Sequence, residues 1–277
     1  MKISVLLSLY AKENPQYFDI AMKSIWDDQT RKPDEIVLVE DGPQTEELYG
    51  IVEKWKAKLG DMLKVVVLKE NQGLAIALNE GAKNCTGDYI ARMDTDDISL
   101  PQRFEIQENY LKEHSDIAVL GGGMIEFNDE EGDMPARLMP ESHDAIKAVI
   151  CKTSPFVHPS VMIRKDLFDK GYQYDPTCRK CQDIDLWGRL IAVGFKMANV
   201  PEVLVKYRKD DLLYDKRRKS AGHEFKVVTR TIYRIYGPLS CKYIYPIVHY
   251  IFHALIPAGL QKKIYHKFIL PYWRKQP

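Results

Sequence analysis

Short apolar runs alternate with helical periods over the first hundred residues. Residues 3–9 read as a buried strand, and 16–28 as a helix that turns Phe18, Ala21, Met22, Ile25 and Trp26 inward. Strands follow at 36–39, 63–68 and 89–93. Between them lie helices at 44–59, carrying Leu48, Ile51, Val52 and Trp55, and at 73–84. Strand–helix alternation at this spacing predicts βαβ units and a parallel sheet. From 115 to 208 the pattern is mixed, with short strands at 117–120, 160–163 and 202–207 and helices near 142–151 and 182–193. The acidic stretch 128–140 predicts a mobile surface loop. From about 215 the chain becomes helical, basic and aromatic.

A parallel sheet binds ligands at the carboxyl ends of its strands, so the polar residues that follow each strand carry the candidate chemistry. Asp94-Thr95-Asp96-Asp97 places three carboxylates within four residues. That arrangement is costly unless a cation or hydrogen-bond donors compensate, and Mg²⁺ or Mn²⁺ takes such oxygens together with substrate phosphates. The alternative is a solvated acidic turn capping a helix at Pro101. In Glu40-Asp41-Gly42 a carboxylate can accept from a base N–H or a ribose hydroxyl, or the three can form an ordinary Asp-Gly turn. Ser8 and Tyr10 offer a hydroxyl and an aromatic face to a uracil ring. Asn71-Gln72-Gly73 opens a helix whose first N–H groups can hold phosphate or ribose, or simply packs it on the sheet. In Gln182-Asp183-Ile184-Asp185-Leu186-Trp187 the spacing of Ile184, Trp187, Leu190 and Ile191 marks a buried face. Asp183 and Trp187, four apart, share another edge. An aspartate in a first turn is held as an anion by the helix N-terminus, which suits a general base; capping by Asp183 or Asp185 is the simpler account. His158-Pro159-Ser160 precedes a strand, and His158 either enters the same cleft or is a satisfied structural residue.

With 277 residues, 45% of them hydrophobic, the chain builds one large α/β domain plus an appendage, or two small domains. Five cysteines form no framework, Cys178-x-x-Cys181 lacks a second ligand pair for zinc, and the N-terminus lacks a secretory signature. These features predict a cytoplasmic protein with reduced thiols. The near-neutral total hides an asymmetry: 24 Lys and Arg against 35 acids in 1–205, then sixteen against four from Lys206 onward. Residues 243–260 contain no formal charge, enough to raise a transmembrane reading. Pro246, His249, His253 and Pro257 interrupt the stretch, and basic clusters (Lys216 to Lys219, Lys262-Lys263, Arg274-Lys275) and tyrosines surround it. The mixture predicts helices lying in the interface of an anionic leaflet, against a helical subdomain packed on the core or on a second copy. A Walker loop is absent, which speaks against an NTPase. The acidic core and apolar tail speak against a nucleic-acid partner.

Six motifs in order, from the opening strand through Val39-Glu40-Asp41-Gly42, Asn71-x-Gly73 with Asn79-x-Gly81, Asp94-x-Asp96-Asp97, His158-Pro159-Ser160 and Gln182-Asp183-x-Asp185-Leu186-Trp187, together resemble the family 2 glycosyltransferases. The resemblance spans roughly residues 1–208. It implies a GT-A fold, Rossmann-like with a mostly parallel sheet and flanking helices, over 1–212. Residues 1–100 would form the nucleotide-sugar half, 101–212 the acceptor half, and 213–277 a helical membrane-interface extension. It implies that Ser8, Tyr10, Asp41, Asn71 and Asp94 bind the nucleotide and that Asp96 holds Mn²⁺ or Mg²⁺. Asp183 would be the base, with Asp97, His158, Gln182 and Trp187 near donor or acceptor. The implied reaction is inverting transfer of a hexose or N-acetylhexosamine from a UDP-sugar to a lipid-diphosphate-linked saccharide at the cytoplasmic leaflet, with a homodimer left open. Three departures stand out. Ser8-Leu9-Tyr10-Ala11 replaces a common Pro-Thr-Tyr-Asn, Gln182 replaces a frequent Glu, and no His follows Tyr207-Arg208. Lys209-Asp210-Asp211 in that place looks like the amylovoran-type branch, which builds bacterial surface polysaccharides. Rival readings are a nucleotide-sugar-binding protein without turnover and a nucleotidyltransferase, the latter lacking its Gly-rich, Arg-containing loop here.

Overall fold

The alternation of the first two strands sets the layers. In β1 (Ile3–Leu9) Leu6 faces one side of the sheet while Ile3, Val5, Leu7 and Leu9 face the other. In β2 (Glu35–Glu40) Val37 and Val39 oppose Ile36 and Leu38 in the same way. Helix α1 (Pro15–Ile25), capped by the Asn14 side chain, and α2 (Glu46–Leu59), capped by Thr45, cover the second face. After β3 (Leu63–Val67), helix α3 (Leu74–Asn84) covers the first, and β4 (Tyr89–Arg92) completes a parallel order β3–β2–β1–β4. These are the predicted βαβ units, with small shifts at the element ends. The computed structural model describes residues 1–130, 132–178, 180–209, 213–256 and 260, with the backbone alone at 213–221, 253 and 254.

The second half extends the same sheet with mixed pairing. Chain order runs β5 (Ile98–Ser99), α4 (Arg103–Glu113), β6 (Ile117–Asn128), β7 (Gly132–Arg137), α5 (His143–Val149), β8 (Met162–Arg164), α6 (Asp166–Asp169), α7 (Gln182–Ala192) and β9 (Lys196–Arg208). The sheet continues β4–β8–β6–β9–β5, with β7 pairing β6. β8 is antiparallel to β4 and β6, β9 parallel to β6, and β5 antiparallel to β9. The stretch expected as a mobile loop at 128–140 therefore contains an edge strand. Both faces of β7 meet solvent, so its sequence carries no apolar alternation, and its charges blunt the exposed edge.

Helix α8 (Leu213–Tyr236) crosses α7 and joins the core through Val227, Val228 and Ile232. Two residues fix the crossing. A Cβ at Gly188 would stand 2.6 Å from the Thr231 side chain, so only glycine allows this approach. Asp185, fully buried on α7, accepts from Arg189 at 2.8 Å, from Arg230 at 2.8 Å and from Arg234 at 2.7 Å. The guanidiniums hold its carboxyl below the usual range against the effect of burial. Of the two readings for the region after 212, the inner half of α8 thus follows the packed one. Asp210-Asp211, the side chains of Lys216 to Lys219, and the basic-aromatic stretch 261–277 lie outside the described residues. Among the described residues no helix is long and apolar enough to cross a membrane.

Removing the charge at Asp185 leaves three guanidiniums around a neutral amide. Asp185→Asn is expected to lower unfolding stability by about 3 kcal/mol, read as a shifted urea midpoint at neutral pH.

Candidate active site at the carboxyl edge of the sheet

Register brings the predicted residues to one edge. Ser8 lies opposite Val39, Leu9 opposite Glu40, and Glu40 opposite Val67, while Leu6 of β1 pairs with Arg92 of β4. Tyr10, Asp41 and Asp94 therefore leave the sheet side by side, with Ser8 half-buried and the Tyr10 ring exposed at the rim. Asp41 has an internal task that its sequence context did not reveal. Its two carboxylate oxygens accept from the backbone N–H groups of Gln72, at 2.7 Å, and Gly73, at 2.9 Å. The Asn71 amide donates to its carbonyl at 3.3 Å. Gly42 adopts φ +88°, and a Cβ there would lie 2.6 Å from the Asn71 nitrogen. Asp41 and Gly42 together hold the 71–73 turn against the strand ends, so the motif builds the wall of the pocket.

The acid loop beyond β4 is organised by two arginines. Arg92, buried, forks onto the Asp94 carboxylate. Behind it the enclosed Arg103 of α4 donates to the Arg92 carbonyl at 2.8 Å and to Gln107 at 3.2 Å. Burial, reinforced by the Arg92 charge, pulls the Arg103 guanidinium down to about 9. Asp97, almost fully enclosed, accepts the Arg208 backbone N–H at 2.7 Å through Oδ1, while Oδ2 has no partner. Burial and the neighbouring Asp94 and Asp96 charges hold the Asp97 carboxyl well above its usual value. The same two effects, burial first, push Asp96 up to about 6. Carboxylate oxygens of Asp94, Asp96 and Asp97 lie within 4.8 Å of one another. Clustered oxygens, an unpartnered buried Oδ2 and acids too weak for want of positive charge fit a hard divalent cation. Asp175, Cys178 and Asp185 also cluster, but Arg230 already sits on all three.

Arg208, at the end of β9, ties the acid loop to its surroundings. Its Nε donates to the Asp96 carbonyl at 3.0 Å and Nη1 to Asp129 at 2.7 Å, and its guanidinium lies 3.6 Å from the Tyr17 ring centre and 4.5 Å from that of Phe127. The Tyr17 hydroxyl donates to Asp129 at 2.7 Å. One side chain thus joins α1, the β6–β7 hairpin and the metal-type acids.

Asp183 faces this loop from the first turn of α7. Ser154 Oγ donates to it at 3.0 Å. Burial raises its carboxyl, whereas the Ile184 N–H, the Ser154 hydroxyl and the Arg92 charge lower it, leaving it above the ordinary aspartate value. Arg92 therefore acts on both Asp94 and Asp183. Beside them Tyr174, buried, meets His158 Nε2 through its hydroxyl at 2.9 Å. Burial and Arg92 keep His158 well below its usual value, hence neutral. The Tyr174 backbone is gripped by Asn79 at 2.9 and 2.8 Å, which gives the Asn79-x-Gly81 motif its role. Trp187 is fully buried against Phe156 and His158. The buried face predicted for α7 holds, but the indole presents no open face to a sugar and instead supports His158. Gln182, half-buried, begins α7 directly beside Asp183. Arg92, Ser154 and Tyr174 escaped the sequence reading. The one available signal was an arginine inside the otherwise apolar strand 89–93.

The model of "Glycosyl transferase family 2" matches residues 4–172. An amylovoran biosynthesis glycosyltransferase of Erwinia amylovora is 40% identical over 215 residues, 78% of this chain and 79% of that protein. The Escherichia coli UDP-Gal:alpha-D-GlcNAc-diphosphoundecaprenol beta-1,3-galactosyltransferase is 30% identical over 97% of this chain and 96% of its own. Among solved structures, S. aureus TarS 1-349 in complex with UDP-GlcNAc superposes with a TM-score of 0.60 at 18% identity, covering 99% of this chain and 87% of that one. The mannosyltransferase PcManGT of Pyrobaculum calidifontis, in complex with GDP-Man and Mn²⁺, gives 0.63 at 14%, covering 99% and 82%.

Arg208→Ala removes the Asp96 and Asp129 contacts and both ring contacts while keeping the backbone bond to Asp97. Amide exchange over 94–97 and 132–137 is expected to accelerate about 10-fold, since the acid loop and the β6–β7 hairpin each lose one charge-assisted hydrogen bond. Arg208→Lys should not restore it, because an ammonium cannot fork and stack at once. Hydrogen-exchange mass spectrometry reads both.

Proposed function

The chain belongs to glycosyl transferase family 2 and is a glycosyltransferase of the GT-A fold, and from that premise we propose which reaction its site performs. A hexosyl or N-acetylhexosaminyl group passes from a UDP-sugar to a hydroxyl of a lipid-diphosphate-linked saccharide, with inversion, during surface-polysaccharide synthesis. The observation that carries this reading is the placement of Asp183 and the Asp94–Asp97 loop around the buried guanidinium of Arg92. A base and a diphosphate-binding acid loop facing one gap suit direct displacement at a sugar carbon. The donor and acceptor classes are supported by the names of the relatives that bind or use them.

In this reading the uracil and ribose rest on the wall formed by Ser8, Tyr10 and the Asp41-held turn at Asn71. Asp96, with Asp94 and Asp97 beside it, would hold Mn²⁺ or Mg²⁺, which offsets the charge that collects on the departing diphosphate. Asp183 takes the proton of the acceptor hydroxyl as its oxygen bonds to the anomeric carbon. The bond from that carbon to the diphosphate oxygen breaks on the opposite face, and UDP leaves with the electron pair. Ser154 and the Ile184 N–H aim the base. The neutral Gln182 adds no second charge beside it. His158 and Tyr174, uncharged at neutral pH, offer polar contacts to the acceptor without competing for its proton.

UDP release from a panel of UDP- and GDP-sugars tests the reading, run with Mn²⁺ or EDTA and with or without lipid-diphosphate-linked sugars. Release is expected from one UDP-sugar, dependent on metal and acceptor. Asp183→Asn should cut turnover about 10²–10⁴-fold and leave UDP affinity nearly unchanged. Wild-type turnover in that variant would overturn the assignment of the base.

Asp183 works only when ionised, so turnover should climb with pH through a midpoint above the ordinary aspartate value. The same upward shift means that the folded protein holds the charged form less readily than the unfolded chain does. Its penalty is absent at low pH and present once pH exceeds the folded value. Asp183→Asn removes the penalty, so at neutral pH its melting temperature should equal or exceed that of wild type while its rate collapses.

A further inference from the structure

Helix α9 (Ile244–Leu255) turns its apolar side away from the domain. Ile244, Ile247, Val248, Ile251 and Leu255 stand 45–76% exposed. At 3.6 residues per turn these five positions fall within a sector about 100° wide, the stripe that a helix of a soluble domain ordinarily turns to its core. The opposite side is already packed: Pro246 is buried, and the Tyr250 ring lies 5.2 Å from Phe225 of α8. Leu239, in the turn before α9, is 98% exposed. A groove of about 410 Å³ continues the stripe toward α5, with Ala148, Cys151, Ile244 and Val248 in its wall and Lys152 and Lys242 at its margin.

Charge identifies the occupant. From Gly237 to the last residue the sequence holds six Lys and Arg and no Asp or Glu. A protein partner for so basic a terminal sequence, and for a groove lined by Lys152 and Lys242, would need a matching acidic and apolar face. A leaflet of anionic lipid presents both properties continuously, phosphate above acyl chain. At twelve residues α9 is about 18 Å long, too short to span a bilayer but suited to lie along its surface.

We propose that α9 is a membrane-docking helix whose outward stripe enters the interface of an anionic leaflet while Lys152 and Lys242 meet lipid phosphates. Through α8 and the Asp185 cluster it connects to α7, so one helix, α8, separates the docked face from the helix that carries the base Asp183. The docking itself does not depend on the reaction proposed above.

The test is co-sedimentation of the full chain with phosphatidylglycerol/phosphatidylethanolamine vesicles and with phosphatidylcholine vesicles, without donor or acceptor. Wild type is expected to bind the anionic vesicles, less so as salt rises, and to bind the neutral ones at least 10-fold more weakly. Ile247→Glu with Ile251→Glu should lower anionic partitioning at least 10-fold with an unchanged circular-dichroism melt. If that pair fails to fold, Ile247→Ser with Ile251→Ser should show a smaller loss in the same direction. Failure of wild type to bind, or variants that bind as wild type does, would overturn the proposal. So would a soluble dimer that the substitutions dissolve while vesicle binding is unaffected, since the stripe would then serve a second copy. With no sugar in the assay, none of these outcomes bears on glycosyl transfer.

Discussion

Three carboxylates within four residues can occupy one sheet edge only if positive charge is fixed beside them, and Arg92 supplies it from within the sheet. A buried guanidinium is itself costly to hold in place. Asp94 compensates it in front, and Arg103 secures its carbonyl behind. The compensation is incomplete by design of the surroundings: Asp96 and Asp97 remain shifted upward. That residual shortage of positive charge is what makes the loop receptive to a cation. The same guanidinium biases Asp183 toward its anion and His158 toward its neutral form. Both sides of the gap are thereby set by one side chain.

The parallel half of the fold was legible because β1, β2 and β4 are buried on both faces and each of its helices on one, so periodicity speaks directly. The antiparallel half was less so. β7 has no buried face, α4 uses the polar Arg103 and Gln107 as core residues, and β6 and β9 run well beyond their apolar segments. Site residues divide along similar lines. Asp94, Asp96 and Asp183 announce themselves as charges placed at element ends. Tyr174 comes from an irregular segment, and only its grip by Asn79, 95 residues away in sequence, brings it in. Asp41 could be located from sequence, but its hydrogen bonds to the 71–73 turn depend on a register that no local pattern contains.

The motif on α7 separates two tasks by helical geometry. Asp183 and Asp185 are two residues apart, which on a helix means nearly opposite sides. Asp183 faces the acid loop, and Asp185 faces α8 and its arginines. Their sequence proximity suggests a shared chemistry that the fold does not use. The outer carboxylate instead anchors the helix on which the inner one acts, so the position of the base and the attachment of the C-terminal helices are linked through one turn.

The acid loop also closes a gap in the architecture. It runs from β4 to β5, yet β8, β6 and β9 stand between those two strands in the sheet. On a flat sheet that crossing would cover about 19 Å at ~4.8 Å per strand. The six steps from Arg92 to Ile98 would then have to be pulled to their limit of about 20 Å. Their carboxylates instead draw together within 4.8 Å, so the sheet must curl until its distant strands approach. The loop acts as a clasp whose length sets that curvature. Adding or removing a residue between β4 and β5 would therefore alter the shape of the whole sheet, whatever it did to the charges, and the spacing of this motif answers to architecture as much as to chemistry.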